Sequence, residues 1–317
     1  MLPKNLFRQG LFLAPMANYS DIGLRTISFS YGADYTFSEM VSAHEIFGRD
    51  ITHYRELDFF DQSVPTGLQI ITPSPEMLKK AIEKIKSAGG QFSNISSICL
   101  NLGCPKLKKS GAFLLDKMEI IEELFSAMHD TSNLPTCVKM RLGINLEHMK
   151  EKPHLRIARL AEKYLDFIIV HGRTKNQVYS GEIDLKSMRE IKDSVSIPVV
   201  GNGDIKNPKD AEKMFSETGC DAIMIGRAAC SKPYLFREIR HYLKTGEELI
   251  IDEKKEKILC VKRYLELQKK YNLSLIQAKI HILSFLKSCS KSLKVRIAGS
   301  KEIEEIRGLV EQEYKSF

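Results

Sequence analysis

Up to about residue 240, short apolar runs of five or six residues alternate with longer stretches whose apolar positions recur every three to four residues. The short runs are "LFLAP" (11–15), "DYTFSE" (34–39), "TGLQII" (66–71), "SICLNL" (97–102), "TCVKMR" (136–141), "DFIIVH" (166–171), "IPVVGN" (197–202) and "AIMIG" (222–226). Their length and their β-branched content predict strands. Between them, Met77, Leu78, Ala81, Ile82 and Ile85 share one helical face, opened by Ser74 as N-cap and Pro75 in the first turn. Ile120, Ile121, Leu124, Phe125 and Met128 form a second such face behind Asp116, and "NPKDAEKMF" starts a third with Asn207 before Pro208. Eight strands alternating with helices over about 240 residues predict a (β/α)8 barrel, a TIM barrel in the α/β class. A doubly wound open sheet is the rival, and it lacks the G-x-G-x-x-G expected after its first strand.

The pattern changes after Lys244. "TGEELIIDEKK" is polar and reads as a linker, and from there the apolar spacing is helical throughout, with helices predicted over 253–271, 275–289 and 301–315. Two units are therefore expected: a barrel over 1–244 and an all-α C-terminal domain over 245–317.

Charge sharpens this division. The chain carries +8 overall. Residues 254–296 hold twelve Lys and Arg against Glu256 and Glu266, a net +10 that leaves −2 for everything else. A solvated helical face accounts for such a run, and so does an electrostatic footprint for nucleic acid. Lys255, Lys262 and Lys269, seven apart, fall on one helical stripe. No apolar stretch is long enough to span a bilayer, and the first residues lack the pattern of a secretory leader. Seven cysteines occur without a C-x-x-C pair or zinc-type spacing. Reduced thiols, a cytoplasmic location, no metal and no membrane are the expectations.

Chemistry in such a barrel lies at the C-terminal strand ends. Read in order, those ends supply Pro15 and Met16, Glu39, Gln69, Asn101 with Cys104, Lys139 with Arg141, His171 with Arg173, Asn202–Gly203–Asp204, and Gly226–Arg227. One polar residue there is easily a cap; eight ends together describe a lined pocket. "GNGDI" and "GRAA" after the last two strands suit a phosphate, with glycine backbone to approach it and Arg227 to neutralise it. Lys139 and Arg141 share one side of their strand, and two cations pointing into a barrel mouth are costly without an anionic partner. A reduced flavin, with negative charge around N1–C2, is such a partner, and Gln69 suits its pyrimidine edge. His171 fits either a flavin ligand or a proton carrier. Cys104, in "LNLGCPKLKKSG", is a thiol at the mouth beside Asn101. With an ordinary thiol pKa near ~8.5 it serves as general acid or nucleophile.

These residues resemble a known family. "LAPMANYSD", "LNLGCP", "CVKMRLG", "VHGRT", "GNGDI" and "GRAA" stand in the order found in the tRNA-dihydrouridine synthases, and "AKIHILSFLKSCSKSLKVRI" is similar to that family's helical RNA-binding domain. The resemblance implies an FMN enzyme, reduced by NADPH, that saturates the C5=C6 bond of uridine in tRNA. Hydride would pass from flavin N5 to C6 and a proton from Cys104 to C5. It further implies that Pro15, Met16, Ala17, Gln69, Lys139, His171, Asn202, Gly203, Asp204, Gly226 and Arg227 hold FMN. Asn101 and Arg141 would contact the substrate, tRNA would be the macromolecular partner, and a monomer is expected. The loop after the cysteine departs from the family pattern, with Gly111 as its single glycine and a bulky Phe113.

Three other readings make different predictions. An FMN barrel acting on a free pyrimidine, like a dihydroorotate dehydrogenase, would turn over uracil or orotate as fast as tRNA. A flavin-free sugar-phosphate enzyme would not bind FMN. A non-catalytic RNA binder would be indifferent to loss of Cys104.

Overall fold

The computed structural model describes residues 2, 4–48, 61 and 63–313. Eight strands, β1 (Gly10–Leu13), β2 (Thr36–Ser42), β3 (Thr66–Ile71), β4 (Ile95–Leu102), β5 (Thr136–Arg141), β6 (Phe167–His171), β7 (Val199–Asn202) and β8 (Ala222–Ile225), form one parallel sheet in the order β1-β8-β7-β6-β5-β4-β3-β2. A bridge between Phe12 and Tyr35, reinforced by Leu13 N–H donating to Tyr35 O at 2.8 Å, joins its two ends. The result is the (β/α)8 barrel that the alternation predicts. No helix among the described residues is long and apolar enough to cross a membrane.

Strand alternation sorts the side chains into two cores. Phe12, Tyr35, Phe37, Cys99, Cys137, Phe167, Ile169, Val200 and Met224 fill the barrel, and Leu6 and Phe7 plug its N-terminal end. The opposite faces pack against the surrounding helices. Gly67 has no side chain because Phe37 takes its place: a Cβ there would lie 2.5 Å from the Phe37 ring. The sites of interest (Gln69, Asn101, Lys139, Arg141, His171 and Asn202) have the inward parity of this filling, a step or two closer to the C-terminal mouth.

A repeated device fixes the other end. A polar residue at or just before the start of each even strand accepts an N–H near the start of the odd strand beside it. Asp34 accepts Leu11 N–H (2.8 Å), Ser96 accepts Thr66 N–H (3.2 Å), Asp166 accepts Thr136 N–H (2.7 Å) and Asp221 accepts Val199 N–H (2.7 Å). Each satisfies a strand-end donor that the ladder leaves open.

Helices α1 (Ile22–Ser30), α2 (Ala43–Gly48), α3 (Pro75–Ala88), α4 (Met118–Thr131), α5 (Leu146–Met149), α6 (Pro153–Tyr164), α7 (Leu185–Ser194), α8 (Pro208–Thr218), α9 (Arg227–Ser231) and α10 (Leu235–Thr245) follow the strands. Ser74 caps α3 through Met77 N–H, and Asn207 and Asp210 form a capping box on α8. Asp116 does not cap α4. It ends a 3-10 turn, Gly111–Asp116, and Lys117 occupies the cap position with no side-chain bond.

Beyond the linker come four helices rather than three: α11 (Glu253–Tyr271), α12 (Leu275–Phe285), α13 (Lys291–Gly299) and α14 (Ile303–Glu313). The stretch expected as one helix to 289 ends at Phe285, and Ser290 caps a new one by accepting Leu293 N–H. Residues 49–60 of the expected barrel unit and 314–315 of the last expected helix lie outside the described residues.

Candidate active site

At the end of β4 the chain turns around the side chain of Asn101. Its Oδ1 accepts the N–H groups of Gly103 (2.9 Å) and Cys104 (2.8 Å), and its Nδ2 donates to Gln69 Oε1 (2.7 Å) and lies 3.3 Å from Met40 Sδ. Every hydrogen-bonding position of this amide is thus engaged, and its work here is to shape the turn that carries the thiol. Cys104 is half-buried, and its carbonyl accepts Ala112 N–H at 3.0 Å. Gly111, at φ +64°, lies directly against it: a Cβ would be 2.8 Å from Cys104 O and 3.1 Å from Cys104 Cβ. The cysteine is therefore pinned from both sides, and the single glycine of its loop is where close approach requires one.

Beside this turn stands a group of cations. Lys139 Nζ lies 3.0 Å from Asn202 Oδ1. Burial, then the neighbouring Arg141, lowers its pKa to about 8. His171 is lowered to about 2, by burial first and then by Lys139, Arg141, Arg173 and Arg227. The imidazole is thus neutral at physiological pH, a hydrogen-bonding group rather than a proton carrier. Asp204 is the carboxylate among them, paired with Arg173 and with Arg227 (2.9 Å), and chiefly the Arg173 bond holds its carboxyl below the usual range.

The arginines from β5 and from just beyond β6 are turned to the rim. Arg141 donates to the carbonyls of Gly103 (2.8 Å), Thr174 (2.8 Å) and Val178 (2.9 Å), which ties the cysteine turn to the loop after β6. Arg173 donates to Ser180 O and Gly181 O in the same loop. That loop holds Val178 at φ +49°, a conformation seldom adopted by a β-branched residue, and presents Tyr179 outward, 4.6 Å from the Arg227 guanidinium.

The first loop is wired internally. Ser20 Oγ donates to Ala14 O (2.9 Å) and accepts Met16 N–H (2.8 Å), which fixes the backbone of Pro15, Met16 and Ala17 at the mouth. Met16 Sδ lies 3.4 Å from Cys230 Sγ, just past β8.

A flavin mononucleotide makes a demand on charge that the donor set of this site answers. Arg173 Nη1 is buried without a hydrogen-bond partner among the described residues, and the Asp204 carboxylate is shared between Arg173 and Arg227. Gly203, at φ +141°, passes so close to His171 and Ile183 that a Cβ would lie 3.3 and 2.7 Å from them. An anionic group with a phosphate fits this donor set.

The fold thus gathers at one mouth Gln69, Asn101, Cys104, Lys139, Arg141, His171, Asn202 to Asp204, Gly226 and Arg227, with Pro15 to Ala17 at its edge. Sequence reading missed the contributions of Ser20, Gly111 and Tyr179. For Gly111 a signal existed, the lone glycine after a cysteine turn; a serine or an exposed tyrosine in a loop carries none. A cavity of about 700 Å³ between α4, α5 and α6, lined by residues such as Asp116, Glu147, His148 and Arg156, shares none of these side chains.

A family model described as dihydrouridine synthase matches residues 12–315. The chain is 35% identical over 245 residues to tRNA-dihydrouridine synthase B of Yersinia pestis, covering 75% of this chain and 74% of that protein. It is equally identical, over 248 residues, to the Escherichia coli (strain K12) protein of the same name, covering 76% and 74%. Among solved structures, the old yellow enzyme homologue from Zymomonas mobilis superposes with a TM-score of 0.51 at 11% identity over 77% of this chain and 90% of that one, a likeness of fold.

Proposed function

The chain belongs to the dihydrouridine synthase family, a flavin-dependent oxidoreductase that forms dihydrouridine in tRNA, and from this premise we propose that its flavin is FMN, that NADPH reduces it, and that Cys104 is the proton donor to C5 of the uracil ring. When bound, the flavin would supply the hydride for C6. Each other part of the chemistry falls to a side chain of this chain.

Carrying the assignment of Cys104 is the turn in which Asn101 Oδ1 holds the Cys104 N–H at 2.8 Å while Gly111 closes on the other side. A backbone so fixed gives the thiol it carries a defined reach as a general acid. Asn101 acts on the substrate chiefly through this turn. Arg141, with three of its five N–H donors on loop carbonyls, shapes the rim and directs its remaining donors towards the base. Lys139, neutral His171 and Gln69 would hold the flavin by its pyrimidine edge. Gly203, Gly226 and Arg227 would hold the phosphate, with the Asp204 carboxylate setting the direction of Arg173 and Arg227. Pro15, Met16 and Ala17 offer backbone to the ring.

Residues 245–317 act as the RNA-holding module. A uridine within folded tRNA must be unstacked and turned into the mouth, which costs a few kcal/mol, and contacts to phosphates hold the RNA meanwhile. Lys255, Lys262 and Lys269 lie exposed along α11, as their spacing predicts.

The deciding experiment is Cys104→Ala. The variant should keep FMN and tRNA binding and lose roughly 10²–10⁴ of the rate of uridine reduction, the usual worth of a positioned acid. Normal dihydrouridine formation by that variant would remove Cys104 from the chemistry. Mapping dihydrouridine in tRNA from cells with and without the protein identifies the position it modifies.

A further inference from the structure

Asp21 is a buried carboxylate at the seam between the barrel and the C-terminal helices, and its two oxygens have different tasks. Oδ1 caps α1 by accepting Leu24 N–H at 2.9 Å. Oδ2 accepts the Tyr264 hydroxyl at 2.5 Å and stands 3.1 Å from His281 Nε2. Tyr264 lies on α11 and His281 on α12, their rings stacked 4.5 Å apart at 29°. Tyr19 also meets this imidazole, in a T-shaped arrangement with ring centroids 5.8 Å apart at 87°. Helix α11 comes so close that a Cβ on Gly23 would be 2.6 Å from the Tyr264 ring. Burial by itself raises the Asp21 carboxyl, and His281, Tyr264 and Leu24 N–H reverse this and leave it below the usual range.

Ser20 lies between Tyr19 and Asp21, and it is the residue whose hydroxyl ties Ala14 O to Met16 N–H. Its carbonyl takes Arg25 Nη1 at 2.7 Å, from a side chain only 1% exposed. The two residues flanking the loop's internal tie are thus both gripped by the C-terminal helices.

We propose that Tyr264 and His281 are positioning residues for the flavin loop: by holding Tyr19 and Asp21 on either side of Ser20, the C-terminal helices fix Pro15–Met16–Ala17 in the form that receives the cofactor. This rests on the assignment of that loop to the flavin. It gives 245–317 a second task besides RNA binding, since a barrel without these helices would lack the support of its cofactor loop. A buried carboxylate needs such partners to remain charged.

Asp21→Asn keeps the cap, because asparagine serves as well at that position, and withdraws the charge facing Tyr264 and His281. Tyr264→Phe keeps the stacked ring and removes only the hydroxyl. Each should weaken FMN binding, read by flavin fluorescence, about tenfold or more. Each should also speed amide exchange at Met16 and Ser20 by a similar factor in flavin-free protein. The comparison variant is Tyr31→Phe, which cuts a different tie between barrel and tail, the 2.7 Å bond to Glu256, and should leave both readouts unchanged. If Asp21→Asn fails to fold, Tyr264→Phe carries the same comparison. Unchanged FMN affinity and exchange in Tyr264→Phe, or equal effects from Tyr31→Phe, would overturn the proposal. Failure of the wild-type protein to bind FMN would instead refute the underlying functional reading.

Discussion

Replacing Gly111 with alanine tests how tightly the thiol must be held. Two penalties apply, and the structure separates them. At φ +64° an L-residue pays about 1–2 kcal/mol for the left-handed conformation. In addition, the new Cβ would sit 2.8 Å from Cys104 O, whereas ordinary contact begins at 3.4 Å. Cys104 or the 3-10 turn must therefore shift by roughly 0.6 Å, and since a 1 Å misplacement can cost 10²-fold in rate, a loss of about tenfold or more in kcat is expected. Gly89, the C-cap of α3, supplies the control. It also has a positive φ, +59°, but nothing lies within 4 Å of its missing Cβ. At ψ −150° Gly89 lies in a region almost reserved for glycine, and Gly89→Ala should lose stability alone, by about 1–3 kcal/mol. Gly111→Ala should lose stability and slow single-turnover oxidation of the reduced enzyme by tRNA, with FMN affinity unchanged. Iodoacetamide alkylation of Cys104 provides a second reading of the thiol's position. A wild-type kcat in Gly111→Ala, alongside a stability loss matching that of Gly89→Ala, would refute the view that the glycine positions the cysteine.

The titration of the site yields two further expectations. His171 binds its proton only near pH 2 in the folded state but near pH 6.5 when unfolded, so the unfolded chain takes up more protons between those values. Stability of the flavin-free protein should therefore fall as pH drops below about 6.5, by up to ~1.4 kcal/mol per pH unit; His171→Asn should flatten that limb in urea titrations, and an identical limb in the variant would contradict the assignment. Lys139, lowered to about 8, must be protonated to face the anionic ring of a reduced flavin, so affinity for reduced FMN should decline as pH rises above about 8, by up to tenfold per unit. A flat affinity from pH 7 to 9.5 would exclude Lys139 from the cofactor's charge. Finally, tRNA binding should weaken steeply with salt, and changing Lys255, Lys262 and Lys269 to glutamine should lower the slope of log K against log salt by roughly 0.7–0.9 for each phosphate no longer neutralised. An unchanged slope would place the RNA elsewhere.

Much of the barrel is open to direct reading from the chain. All eight strands follow from the apolar runs, and β3 (Thr66–Ile71) and β5 (Thr136–Arg141) begin and end where those runs do. Strand parity is local, so the inward direction of Gln69, Asn101, Lys139, His171 and Asn202 follows once the strands are recognised. The caps at Ser74 and Asn207 are legible for the same reason, their partners lying three residues away. The break between α12 and α13 escapes such a reading because the apolar spacing runs on through 286–289, while a cap at Ser290 competes locally.

Partners that are distant in sequence are another matter. Nothing in "CVKMRLG" announces that Arg141 will spend three donors on carbonyls from two different loops, or that Asn101 will turn its amide back on the cysteine rather than outward. Those outcomes depend on which loops the closed barrel brings to one rim. The same holds for the depressed proton affinity of His171, which needs burial and four surrounding cations delivered by β5, the loop after β6 and the start of α9. The tie between Asp21 and Tyr264 spans 243 residues. Periodicity and capping are short-range properties that a chain displays along its length, and they determined the barrel and the position of its mouth. Burial, desolvation and the pairing of groups from opposite ends of the chain arise only on closure, and they decided what each side chain at the mouth does.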